Sequence, residues 1–156
     1  MISFHHLNFN IFEIFLKQLR ITLVMKKVIA FGSFDILHKG HEAYLKEAKS
    51  YGDYLVVVVA RDENIVKFKG KKPRNDENYR LEQINKLEFV DEAVLGQIGN
   101  IFDILGEINP DVICLGYDQK TVEIEKLKEE LKKREIVAEI VRAKPFKEDV
   151  FKSSKL

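Results

Sequence analysis

The sequence holds a single cysteine, Cys114, among 156 residues. One cysteine cannot close an internal disulfide, so the chain is expected to fold on its core alone, in a reducing cytoplasm. Within Val112-Ile113-Cys114-Leu115 it reads as a small buried apolar side chain. Excess charge is missing too: the net charge is +1, which excludes the footprint of a nucleic-acid binder and an acidic tail. The local cluster of Lys67, Lys69, Lys71, Lys72 and Arg74 is a short basic loop and needs no nucleic-acid partner. No apolar run reaches the roughly 20 residues that a membrane span requires. Ile11 to Leu16 comes nearest, but Glu13, Lys17 and Arg20 interrupt it. A basic leader with a small-residue cleavage site is absent, which argues against a secretory signal. So are the G-x-G-x-x-G and G-x-x-x-x-G-K-[ST] nucleotide loops, internal repeats and low-complexity tracts.

What is present is ordinary for one soluble domain: 46% hydrophobic and 33% charged residues, in a chain long enough to bury a core without staples. Residues 1–24 differ in character from the rest. Met25-Lys26-Lys27 followed by a strand looks like a natural start, so 1–24 are expected to be an extension outside a domain of residues 25–156. An amphipathic helix for a partner or a membrane surface is the alternative.

From Lys27 onward, apolar strands alternate with helical stripes. Strands are expected at about 27–31, 54–59, 92–95, 111–115 and 136–141, and helices at about 40–51, 77–88, 101–108 and 123–134. Residues 67–74 are expected to be a basic loop. The β-branched run Tyr54 to Val59 marks a central strand covered on both faces. This alternation predicts an α/β fold, an open five-stranded parallel sheet with helices on both faces. Ligands bind such sheets beyond the strand carboxyl ends. Gly32-Ser33, the loop after Val59 and Gly116-Tyr117-Asp118 should therefore line one crevice.

The stretch that organises the chain is Phe31 to His41, FGSFDILHKGH. A strand stops at Gly32 and a helix starts near Lys39, leaving unpaired N–H groups and a positive dipole end that attract anions. His38 and His41 stand at i, i+3 and can face the same side, while Gly40 between them lets a phosphate approach the backbone. A zinc site is the less suitable reading, because no thiolate or third close histidine completes a ligand set. Surface decoration is the other alternative.

Gly32-Ser33-Phe34-Asp35-Ile36-Leu37-His38-Lys39-Gly40-His41 strongly resembles the G-[TS]-F-D-x-x-H-x-G-H signature of the cytidylyltransferase-like nucleotidyltransferases. The resemblance covers essentially everything from Met25 onward. It implies a Rossmann-like nucleotidyltransferase sheet. It also implies a nucleotide bound along Gly32, Ser33, Phe34, Asp35, His38, Gly40 and His41, attack on its α-phosphate, and pyrophosphate as leaving group. Lys69 resembles the family lysine that reaches the phosphates, with Lys71 and Lys72 as alternatives. Arg80 looks like the family arginine opening the helix after the basic loop, with a solvated helix charge as its alternative. His38, His41, Lys69 and Arg80 are thus the expected charge stabilisers. No dedicated metal ligands are assigned; Mg²⁺ or another divalent cation would arrive with the nucleotide.

Cys114-Leu115-Gly116-Tyr117-Asp118-Gln119 looks like the L-G-x-D-Q segment of archaeal-type FAD synthases. That likeness implies nucleotide contacts at Gly116 and Asp118, and transfer of AMP from ATP to FMN. Lys152-Ser153-Ser154-Lys155-Leu156 looks like the family's phosphate-binding turn, which adds Ser153 and Ser154, although the short helix that follows it in the family has no counterpart here. Two alternatives stay open: a cytidylyltransferase making CDP-glycerol or a similar CDP-alcohol, and a nucleotide-binding module without turnover. Homodimers are common in the family and are expected here.

Overall fold

The computed structural model describes residues 11–16, 25–120 and 123–146. Residues 11–16 form a short helix, α1, exposed along its whole length. Then follow β1 (Lys27–Gly32), α2 (Lys39–Ser50), β2 (Tyr54–Val59), α3 (Asp62–Lys69), α4 (Glu77–Asn85) and β3 (Glu92–Leu95). The chain continues through α5 (Asp103–Ile108), β4 (Val112–Leu115), α6 (Ile124–Lys133) and β5 (Glu139–Arg142). All strand pairs are parallel, in the order β3-β2-β1-β4-β5. The expected open five-stranded α/β sheet is the one observed. No helix among the described residues is long and apolar enough to cross a membrane.

Alternation along the strands divides the core into two layers, because successive side chains leave opposite faces of a sheet. Val28, Ala30, Leu55, Val57, Val112 and Cys114 pack with Leu45 and Ala48 of α2 and Ile84 of α4. Ile29, Val58, Ile113 and Leu115 pack with Ile104 and Leu105 of α5 and with Leu127 and Leu131 of α6. Each fully buried Leu, Ile or Val contributes roughly 1.5–3 kcal/mol. Covering both faces is why β1, β2 and β4 can be almost wholly apolar.

Helix α4 ends at Asn85 and α5 starts at Asp103, short of the expected 88 and 101, and two further departures have a clear local reason. Residues 62–69, expected to run into a basic loop, form helix α3. Asp62 and Glu63 lie in its first turn, Lys67 and Lys69 in its last, and Gly70 closes it in the left-handed region at φ 75°. These charges complement the helix dipole, and Gly70 supplies the cap. The last strand, expected from Ile136, starts at Glu139. The Ile136 N–H bonds the Leu131 carbonyl and the Glu135 N–H bonds that of Lys132, while Glu135 adopts φ 54°. This Schellman closure of α6 takes Ile136 out of the strand.

Strand β1 is central, with β2 on one side and β4 on the other. The connections leave it in opposite directions, which opens a crevice at the carboxyl ends of β1 and β4.

Candidate active site

Helix α2 begins inside the histidine signature. His38 is its N-cap, with extended backbone, and its Nδ1 accepts the Gly40 N–H at 3.1 Å. His41, three residues on, returns the contact: its Nδ1 accepts the His38 N–H at 3.4 Å. The pair forms a capping box built from imidazoles. An accepting Nδ1 carries no proton, so each neutral ring keeps its proton on Nε2. The rings stack with centroids 3.8 Å apart. His38 Nε2 is buried without a hydrogen-bond partner, a donor suited to an incoming oxygen.

Both imidazoles resist protonation. Burial holds His41 down at about 4, with His38 and Lys69 adding to the effect and a backbone hydrogen bond at Ile36 opposing it. Burial also lowers His38, against the pull of the Asp118 carboxylate. At neutral pH the site therefore presents neutral N–H donors beside the positive end of α2.

The turn between β1 and α2 is held from both sides. Phe34 adopts φ 51°, an uncommon conformation for a bulky residue, and its buried ring meets His41 edge-on at 5.4 Å. That ring lies across Gly32, where a Cβ would come within 2.6 Å of it. The Asp35 carboxylate accepts the N–H groups of Arg74 and Asn75 at 2.8 and 2.9 Å, and the Asn75 amide donates to the Asp35 carbonyl at 2.6 Å. Asp35 thus ties the turn to the loop before α4 and does not line the cleft.

Arg80 also departs from expectation. It is neither a solvated charge nor a residue facing the cleft, since its exposure is 0%. Its Nη1 donates to the Ser33 carbonyl at 2.7 Å, its Nε to the Asn75 carbonyl at 3.0 Å and its Nη2 to Asp62 at 2.7 Å. The guanidinium fork braces the backbone beneath the site. Asp62 and Glu77 complete the brace by exchanging backbone-to-carboxylate hydrogen bonds at 3.1 and 3.2 Å.

Helix α3 fixes which lysine enters. Lys69 lines the cleft and its ammonium reaches Ser33 Oγ at 3.4 Å, whereas Lys71 and Lys72 lie beyond the helix and outside the lining. Opposite, Gln119 folds back into its own turn: its Oε1 accepts the Gly116 N–H at 2.8 Å and its Nε2 donates to the Phe31 carbonyl at 2.7 Å. Arg142 clamps the same turn through the Gly116 carbonyl at 2.9 Å. Asp118 is left exposed on the cleft wall.

The cleft has a volume of about 500 Å³ and brings together Gly32, Ser33, Phe34, His38, Gly40, His41, Lys69, Gly116 and Asp118. Ser153 and Ser154 lie outside the described residues. Side chains not anticipated from sequence also line it: Tyr44, whose hydroxyl donates to the Cys114 carbonyl at 2.7 Å, and the buried Asn64, whose amide donates to the Gln97 carbonyl at 2.7 Å. Neither Tyr44 nor Cys114 is set up as a nucleophile. Burial raises the Tyr44 phenol and pushes the Cys114 thiol up to about 12. Among the described residues no group of three His, Cys, Asp or Glu side chains could hold a metal ion. The arrangement offers an anion the His38 N–H donor, the Lys69 ammonium and the start of α2, and neither Tyr44 nor Cys114 is activated as a nucleophile.

Known proteins share this architecture. The model of the cytidylyltransferase-like family matches residues 29–156. An FAD synthase from Ferroglobus placidus is 54% identical over 125 residues, 80% of each chain. One from Thermococcus sibiricus is 46% identical over 132 residues, 83% of this chain and 88% of the relative. Among solved structures, one described as a lipopolysaccharide core biosynthesis protein from Thermoplasma volcanium is 48% identical. It superposes with a TM-score of 0.74 over 78% of this chain and 98% of its own. On the histidine capping box, the sheet order and these relatives together, the chain belongs to the cytidylyltransferase-like family, alongside the archaeal FAD synthases it resembles.

Proposed function

We propose that the protein is an FMN adenylyltransferase, moving AMP from ATP to FMN to give FAD and pyrophosphate. The observation that carries this reading is the stacked His38–His41 pair, with its unpartnered His38 Nε2, lining a cleft shared with Lys69, in a chain 54% identical to an FAD synthase. An oxygen of the FMN phosphate attacks the α-phosphorus of ATP, the bond to the β-phosphate bridging oxygen breaks, and pyrophosphate leaves with the electron pair. The FMN phosphate is already anionic at neutral pH, so no strong general base is needed. Catalysis then rests on positioning and on neutralising charge on the triphosphate.

In this reading His38 and His41 bond triphosphate oxygens and Lys69 supplies the mobile positive charge. The Gly116 turn receives the nucleoside, with Asp118 accepting from its hydroxyls. Arg80 acts indirectly, by holding the Ser33 backbone. A divalent ion brought by the nucleotide would offset phosphate charge, and Asp118, the carboxylate among the lining residues, would be the protein group to help hold it. The working unit in this proposal is residues 25–156, acting in the cytoplasm as a homodimer.

The test is a competition read by mass spectrometry, with ATP and CTP as donors and FMN and glycerol 3-phosphate as acceptors. FAD as the product supports the proposal. CDP-glycerol would keep the mechanism and overturn the substrates. Tight nucleotide binding with no product would favour a binding module.

A further inference from the structure

The two ends of the cleft differ in chemistry. At the β4 end stand the Gly116–Gln119 turn with the Asp118 carboxylate and the rings of Tyr117 and Phe146; toward β2 and β3 the lining holds Val58, Ile65, Phe68 and Ile101 beside the hydrogen-bonded Asn64 and Gln97. Ile65 and Phe68 are i, i+3 on α3 and share a face. Ile65 is buried and anchors the helix, whereas Phe68 is 60% exposed. Single exposed apolar residues are ordinary on protein surfaces. This ring, however, continues that lining, adjoins Lys69, and also borders a neighbouring groove of about 470 Å³ beside Phe102 and Lys126. It therefore borders two cavities at once.

Resting on the reading of ATP and FMN as substrates, we propose that Phe68 is the stacking platform for the isoalloxazine of FMN. The acceptor then occupies the β2–β3 end of the cleft and the adenosine of ATP the β4 end. The chemistry of the substrates sorts them this way. Isoalloxazine is a broad aromatic surface that gains most from an apolar, ring-bearing wall. Adenosine carries ribose hydroxyls that need an acceptor, which Asp118 provides. The ribityl chain of FMN separates its phosphate from the ring, so a flavin ring on Phe68 leaves the phosphate free to reach toward the triphosphate held by His38, His41 and Lys69.

The chain contains no tryptophan, which makes a direct optical test available. FMN fluorescence, excited in the visible where no side chain absorbs, is quenched by electron transfer from a stacked tryptophan or tyrosine but not from phenylalanine, so the Phe68→Trp variant reports the contact by its added quench. The full chain and its Phe68→Ala, Phe68→Trp and Tyr117→Ala variants are titrated with FMN and assayed for FAD. Removal of the ring in Phe68→Ala should raise KM for FMN roughly tenfold and leave KM for ATP within about twofold. Its melting temperature should hold, because the side chain is mostly exposed. Phe68→Trp should restore FMN affinity and deepen the quench. An unchanged KM for FMN in Phe68→Ala, or loss of FMN affinity in Tyr117→Ala instead, would overturn the assignment and reverse the two ends. Absence of FMN binding and of FAD formation in the wild-type chain would overturn the functional reading itself and this assignment with it.

Discussion

Replacing His41 with glutamine separates its structural role from its titration. Glutamine is a favoured N3 partner in a capping box, so it can accept the His38 N–H as the imidazole does, but it does not titrate. Wild-type His41 is held at about 4 by burial, against an ordinary 6.5. Its folded-state pKa is depressed, so the unfolded chain binds more protons between those values. Stability is therefore full above about pH 6.5 and falls as pH drops toward 4. At about pH 4.5 the unfolded imidazole is almost fully protonated and the folded one mostly neutral, a differential of about 2–3 kcal/mol. Urea unfolding of both proteins at about pH 7.5 and pH 4.5 isolates this one group, because the acid response of every carboxylate cancels in the comparison. The variant should be close to wild type at the higher pH and about 2–3 kcal/mol more stable relative to it at the lower. A stability difference independent of pH would refute the claim that burial keeps this ring neutral.

Three further outcomes follow from the site's geometry. Lys69→Met should lower kcat/KM by roughly a hundredfold, while Lys71→Ala and Lys72→Ala, outside the cleft lining, should change it less than about threefold; steady-state kinetics decides between them. Arg80→Met leaves Asp62 and the Ser33 and Asn75 carbonyls without their buried donor, which should cost about 3 kcal/mol in chemical denaturation and lower activity through the displaced Ser33 backbone. Gly32→Ala forces a methyl to within 2.6 Å of the Phe34 ring. It should destabilise by about 1–3 kcal/mol in the same assay and push the Phe34 ring away from His41.

What the sequence reveals and conceals follows from distance along the chain. The histidine pair is legible because strand end, cap and helix start are contiguous, so spacing alone puts both rings on one anion site. The sheet is legible because Tyr54–Val59 and Val112–Leu115 carry their burial in composition. Helix α3 is hidden because Lys67, Lys69, Lys71 and Lys72 read as a solvated loop, although Asp62, Glu63 and the closing Gly70 hold its start and stop signals. Arg80 reads as a charge stabiliser by its likeness to the family arginine, but a likeness in sequence does not show where the side chain points. Its partner at Ser33 lies 47 residues away, beneath the turn instead of inside it. Arg142 and Tyr44 escape notice for the same reason, since their acceptors are carbonyls at Gly116 and Cys114, brought near only by the sheet.

In the function proposed here, AMP passes directly from ATP to FMN in the cleft that His38 and His41 cap. ATP labelled in its α-phosphate, mixed with excess protein and FMN in a single turnover, tests it most directly. Direct transfer predicts that all transferred label appears in FAD, that none becomes attached to the protein, and that His41→Gln slows the reaction by roughly a hundredfold or more. Label bound covalently to the protein, or FAD formed by His41→Gln at the wild-type rate, would contradict it.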